Sequence, residues 1–342
     1  MNWIIELFYF FILLNIVIAV TCVLWAIYHK IIDKNVSSTF CFNSIKTLII
    51  FLLISIIGFK SLQSTYSGIQ LESMSITNFI LYQISFVVIC IWGIGIIIFL
   101  TGILINILKF SRNISFYNAY ILDPHYTHIL SQIKSNFNFN KKIKLYSNCN
   151  ITIPIVTGAL KPKIILPENT PTDKELYIIM LHEFIHIYRK DLLFKYLLII
   201  LRGIFWINPS FIYISKQLDI WSEYSCDEIS CKHQKNIFTN KEYFSTILRY
   251  SMQFKQKFSI TTALCSHKSN IEKRIRHFKS SNLTSKFVKY ISILLLAMIM
   301  LIEVHFYYSA SQYQNTFIST FQQWSTINII HVSKTQESIT CK

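Results

Sequence analysis

The sequence predicts an α-helical integral membrane protein with four transmembrane helices and one α+β domain placed between the third and the fourth. Three observations lead there. Of the 342 residues, 52% are apolar and only 15% charged, against about a quarter charged in soluble domains. The apolar residues gather in runs long enough to cross a bilayer, which takes about 20 residues per helix. Between the last two runs the pattern changes to short β-branched stretches and amphipathic helices, and there the chain carries Leu181-His182-Glu183-Phe184-Ile185-His186.

Taken in order, the first span covers Trp3 to Tyr28, broken only by Glu6 near its outer end. It is too long for a removable leader and lacks a small-residue cleavage site, so a retained anchor is expected. The second covers about 40–59, with Lys46 expected to snorkel toward the interface. The third, Ile76 to Leu108, exceeds the bilayer's need and should tilt or project. The fourth is Tyr290 to Tyr308, with Glu303 and His305 near one end. These spans divide the chain into a membrane region (1–110), an intervening domain (111–289), a last helix (290–308) and a short tail (309–342).

Flanking basic residues set the expected orientation. Lys30, Lys34 and Lys46 lie between the first two spans, Lys109 and Arg112 follow the third, and Lys286 and Lys289 precede the fourth. All agree on extracytoplasmic termini and a cytoplasmic 111–289. The formal charge of +16 fits attraction to anionic headgroups. No helix-turn-helix, finger spacing or aromatic-basic sheet is visible, so no direct nucleic-acid binding is expected. Eight cysteines are spread without a secreted pattern, and Cys226, Cys231 and His233 match no common zinc-finger spacing.

Within 111–289, Asp123-Pro124 signals a helix start, followed by Tyr126, Ile129, Leu130 and Ile133 at helical intervals. Residues 143–146, 153–156 and 163–166 read as a small antiparallel sheet with Thr157-Gly158-Ala159 in a turn. Ile164-Ile165-Leu166 is the candidate edge strand for holding a substrate extended, with a plain sheet-core strand as an equal alternative. A helix capped by Asp173 then carries the histidines. The apolar stretch 192–207 contains Lys195 and Arg202, and is expected to lie against or partly enter the bilayer. Asn208-Pro209 ends it.

The chemistry rests on spacing. A helix brings i and i+4 to one face, so His182 and His186 can grip one zinc ion while Glu183 reaches a water. That is the HExxH arrangement of a zincin-like metallopeptidase, although it also arises by chance on amphipathic helices. A catalytic zinc takes a third protein ligand. Glu223 can supply it from a second helix, and Asp227, one turn on, could accept the spare N–H of a ligand histidine. An exposed acidic face is the plain alternative for both. Tyr188, Arg189 and His233 are chemically able to stabilise an oxyanion, and none is assigned.

Five pieces together resemble the membrane-embedded M56 peptidases, the family of the antibiotic-sensing receptors BlaR and MecR. They are GALKPKIILP from Gly158, HEFIHIYRKD from His182, FWINP from Phe205, EYSCDE from Glu223 and EKRI from Glu272. The resemblance covers about 1–310 and implies His182, His186 and Glu223 as zinc ligands, Glu183 as general base and Asp227 as a partner of the ligand set. The receptors also carry a penicillin-binding sensor domain; here Gln312 stands where an SxxK pattern starting at Ser309 needs lysine, so acylation by a β-lactam is not expected. The resemblance implies a zinc endopeptidase acting in signal transduction on a cytoplasmic regulator such as a transcriptional repressor, and by analogy on itself within 255–270. A separate sensor or a homo-oligomer would supply the cue. Two other readings stay open: a quality-control or maturation peptidase like the HtpX and Ste24 group, and a non-catalytic membrane receptor or scaffold.

Overall fold

A computed structural model describes residues 2–33, 35–64, 76–115, 118–121, 123–149, 151, 153–168, 172–233, 237–252, 269–280, 290–298, 300–301 and 304–305. The chain begins with three long helices, α1 (Asn2–Ile32), α2 (Ser38–Ser64) and α3 (Ile76–Ser115). Among the described residues three helical stretches are long and apolar enough to cross a membrane: Leu7–Ile32, Ser38–Ile56 and Tyr82–Lys109. The chain is thus a multi-pass membrane protein. At 1.5 Å per residue α3 is about 60 Å long, twice a hydrocarbon core, so it must tilt or project. For the fourth expected span, 290–298 is helical and mostly exposed. Its Ser292 carbonyl accepts a 2.9 Å hydrogen bond from the Tyr28 hydroxyl of α1. Glu303, the stretch 253–268 and the tail from 306 onward lie outside the described residues.

A mixed region follows: β1 (Asn118–Tyr120), α4 (Pro124–Asn136), β2 (Lys144–Asn148), β3 (Ile155–Thr157), β4 (Lys163–Pro167) and α5 (Asp173–Tyr188). Asp123 caps α4, its carboxylate accepting from the His125 N–H at 2.9 Å. The four strands run in the order β1-β2-β4-β3. The expectation of a purely antiparallel sheet is corrected: β2 and β4 are parallel, with Leu145 opposite Ile164. Only neighbours joined by a short turn, as β3 and β4 are, must run antiparallel. Strand β3 instead lies on the far side of β4 from β2. Consequently Ile164-Ile165-Leu166 is not an edge strand. It is interior and buried on both faces, and the outer edge beside α5 belongs to β3. Gly158, at φ +80° with the Lys161 carbonyl oxygen 2.4 Å from where a Cβ would stand, makes the β3–β4 turn.

The N-cap of α5 is Thr172 and not Asp173. The Thr172 N–H donates to Glu175 at 3.2 Å, whereas Asp173 points outward to His125 at 3.1 Å. Arg189 and Lys190 turn the chain sharply, with Lys190 in the left-handed region at φ 59°. Helices α6 (Asp191–Ile204) and α7 (Ser210–Lys232) then form a hairpin, followed by α8 (Asn240–Met252) and α9 (Ser269–Ser280).

Two apolar cores hold this together. In one, Leu198, Leu201 and Phe205 of α6 and its turn, with Phe211, Ile214, Leu218 and Trp221 of α7, pack among Leu14, Ile18, Trp25, Ile45 and Leu52 of α1 and α2. The tip of the hairpin reaches well along the apolar helices. There the Asn208 amide donates to the Asn15 carbonyl at 3.1 Å, and the Trp92 indole of α3 donates to the Ile204 carbonyl at 2.8 Å. One face of the stretch 192–207 thus packs against the helical bundle, while Ile200, Trp206 and Ile207 stay exposed. The second core joins α4, the sheet, α5 and α8 to Cys226 and Cys231. Helix α7 belongs to both, and Glu223 sits where one core gives way to the other.

Candidate metal centre

On α5, a buried apolar run from Leu176 to Leu181 fixes the helix in the second core, and the next turn presents His182 and His186. Their Nε2 atoms are 3.4 Å apart. From α7, Glu223 places Oε2 3.5 Å from His182 Nε2 and Oε1 3.7 Å from His186 Nε2. Donors bound at 2.0–2.1 Å on a tetrahedral zinc stand about 3.4 Å from one another. Each histidine thus faces a different oxygen of Glu223, at a spacing at which the three side chains could hold one metal ion. A donor atom from Cys226 also comes within 4.8 Å of one from each histidine, a group capable of holding a metal. The Cys226 sulfur, however, lies 3.3 Å from His182 Nδ1, on the far side of that ring from Nε2, and donates to the His182 carbonyl.

Glu183 is partly exposed beside this group. Burial pushes its carboxyl up to about 7, and the Glu223 carboxylate adds to the rise, against the lowering effects of His182, Arg274 and Lys195. Glu223 goes the other way. Although burial raises it, the Arg274 guanidinium and the two imidazoles hold it well below the usual carboxylate range. Two adjacent carboxyls are thus pushed apart, one ionised and one able to carry a proton near neutrality.

Each histidine is oriented from behind. His182 Nδ1 meets the Tyr243 hydroxyl at 2.8 Å, and that hydroxyl donates to Asp227 Oδ1 at 2.8 Å. The Asp227 carboxylate is held by Arg274, whose Nε donates to Oδ2 at 2.8 Å, and Arg274 Nη1 reaches Glu223 Oε2 at 2.9 Å. Asp227 therefore reaches the histidine through Tyr243 and not directly. His186 Nδ1 meets a carboxylate without an intermediary, Asp191 Oδ2 at 2.8 Å. The same oxygen accepts from Ser222 Oγ at 2.8 Å and from Arg189. Tyr243, Arg274 and Asp191 were not singled out from the sequence. The signal for two of them was available, since Asp191 closes HEFIHIYRKD and Arg274 lies in EKRI.

Of the residues able to serve an oxyanion, Arg189 is committed to Asp191 and to the Ser222 carbonyl at 2.9 Å, with its guanidinium over the Phe42 ring. His233 stacks on Phe137 at 4.6 Å. Tyr188 is exposed and packs on Phe137 and Phe184. Lys195, one turn after Asp191, pairs at 3.0 Å with Asp219, one turn before Glu223, and so ties α6 to α7.

The chain is 29% identical over 215 residues to the methicillin resistance mecR1 proteins of Staphylococcus aureus and Staphylococcus epidermidis, an alignment covering 60% of this chain and 35% of theirs. It is 30% identical over 142 residues to the regulatory protein BlaR1 of Bacillus licheniformis, over 40% of this chain and 23% of that one. The matched stretch spans about a third or less of these relatives. The profile of the BlaR1 peptidase M56 family matches residues 9–278, from the first apolar helix through Arg274. With the paired histidines, Glu223 and the residues behind them all inside that match, the chain belongs to the peptidase M56 family.

Proposed function

We propose that this protein is a zinc endopeptidase of the cytoplasmic membrane that cuts a cytoplasmic regulator, such as a transcriptional repressor, when a cue arrives from the membrane side. The observation that carries the reading is the set of Nε2, Nε2 and carboxylate donors at 3.4, 3.5 and 3.7 Å with Glu183 beside it. His182, His186 and Glu223 are the proposed ligands. Cys226 is set aside because its sulfur faces His182 Nδ1, whereas Glu223 faces Nε2 of both rings. Zinc, when bound, supplies a Lewis acid that polarises the scissile carbonyl and lowers the pKa of water from nearly 16 toward about 7.

The remaining work falls to the chain. Glu183 takes the proton from the attacking water on a carboxylate oxygen and returns it to the leaving amide nitrogen. A proton affinity near neutrality suits both halves of that exchange. Arg274 keeps Glu223 ionised for ligation, and Asp227 fixes the His182 tautomer through Tyr243. The outer edge of β3 offers backbone N–H and C=O groups to an extended substrate strand. Four spans with both termini outside, self-cleavage within 255–270 and a separate sensor or second copy complete the proposal. The names of the relatives, a resistance protein and a regulatory protein, support the regulatory role.

The test compares the proteomes of wild-type and Glu183→Gln cells. Accumulation of one or a few cytosolic regulators in the variant is expected. Accumulation of many membrane proteins would move the assignment to maturation or quality control. No difference, in cells whose protein carries stoichiometric zinc, would leave a non-catalytic receptor. In the purified protein, Glu183→Gln should lower cleavage by about 10²- to 10⁴-fold while zinc content is unchanged.

A further inference from the structure

The side chain behind His186 is completed by a residue from a membrane helix. Lys46 lies on α2, eight residues after Ser38, inside the apolar stretch Ser38–Ile56. It does not snorkel to the interface, as a lone lysine in an apolar run would be expected to do. Its side chain is 12% exposed, with Nζ 3.5 Å from Asp191 Oδ1. Nζ also donates to the Arg189 carbonyl, at the end of α5, at 2.6 Å. The ammonium lies over two rings, Phe42 at 4.3 Å and Phe194 at 4.8 Å.

The two oxygens of Asp191 are unequally served. Oδ2 takes His186, Ser222 and Arg189, whereas Oδ1 is buried without a hydrogen bond and has Lys46 as its facing cation. Without Lys46, Oδ1 is a buried carboxylate oxygen with no compensation, which is costly. The carboxylate would rotate to find a donor and carry the His186 hydrogen bond with it. A second tie keeps α2 in register: Glu228 of α7 accepts from the Thr39 N–H at 2.9 Å and from the Thr39 hydroxyl at 3.1 Å. The two ties are seven residues apart, about 10 Å along α2.

We propose that Lys46 is a positioning residue that orients the His186 imidazole through Asp191, so that α2 is the handle by which a membrane event changes the metal site. This rests on the metal-ligand assignment above, and it gives the cue a route that does not pass through the substrate cleft.

The experiment uses the full chain in detergent, loaded with Co²⁺, reading the visible absorption band and the metal affinity by chelator competition. His182→Ala should abolish the parent's band. If it leaves that band unchanged, the ligand assignment fails and the Lys46 role falls with it. Given a band that depends on His182, Lys46→Met is expected to shift it and to weaken binding by about 10-fold, the lower end for loss of an outer partner of a metal ligand. Lys46→Arg should restore both to within about 3-fold. In an Asp191→Asn background Lys46→Met should add nothing, because the path it acts through is already cut. A parent-like band and affinity in Lys46→Met, or full additivity with Asp191→Asn, would overturn the Lys46 role and leave the ligand assignment standing. Should Lys46→Met fail to assemble, Lys46→Gln is read by the same criteria.

Discussion

The two histidines of the candidate centre are supported in opposite ways. Behind His182 stands a relay, Tyr243 then Asp227 then Arg274, drawn from α7, α8 and α9. Behind His186 stands a carboxylate in direct contact, Asp191, itself clamped by Arg189, Ser222 and the α2 lysine. Both histidines stand on α5, but the support of His182 comes from the mixed α/β region and that of His186 in part from the membrane helix α2. The difference teaches that the site draws its support from both cores.

The strongest way to break this contrast is Arg274→Met. Arg274 is buried and serves both Asp227, behind His182, and Glu223, which faces both histidines, so its loss strands two carboxylates. Breaking a buried pair in this way costs about 3–5 kcal/mol, to be seen as a lowered thermal midpoint in detergent together with weakened zinc binding. Next comes a direct comparison by chelator competition. Asp191→Asn should lower zinc affinity by about 10- to 100-fold, and Asp227→Asn by less, because Tyr243 still fills the space behind His182. The reverse order would show that the relay, and not the direct carboxylate, dominates ligand orientation.

Tyr243→Phe removes one hydrogen bond and leaves Asp227 with Arg274. About 1 kcal/mol, or roughly 5-fold in metal affinity, is the expected loss. The smallest effect should come from Lys190→Gly on the His186 side. Lys190 holds φ 59°, a region costly for any residue with a Cβ, so glycine should be neutral or stabilise by up to about 1 kcal/mol without changing zinc affinity. A marked loss would mean that the Lys190 side chain, and not only the turn it makes, supports Asp191.

The parts of this site visible from sequence were those encoded by local repeat. His182 and His186 are four apart on one helix, as are Glu223 and Asp227, and helical periodicity alone puts each pair on one face. What could not be read was the meeting of distant segments. Arg274 lies about fifty residues beyond Asp227, and nothing in EKRI says which carboxylate its arginine will find. Lys46 read as a lysine with an apolar stem because its partner lies well over a hundred residues away. The sheet shows the same boundary. The Gly158 turn identified the β3–β4 hairpin, but whether β2 joins that pair parallel or antiparallel depends on which side of β4 the connecting chain passes, and no residue in it records that. Strand β1, three residues long, carries no alternation to detect.

The α6–α7 hairpin has a consequence for anyone wishing to isolate the portion that carries the candidate metal centre. Leu198, Leu201, Phe205, Phe211, Ile214 and Leu218 are each at most 2% exposed because α1 and α2 cover them. A fragment trimmed to begin after α3 would turn that greasy wedge toward water while still containing every proposed zinc ligand. Such a truncation should aggregate or demand detergent, and a water-soluble version would first need those six side chains redesigned.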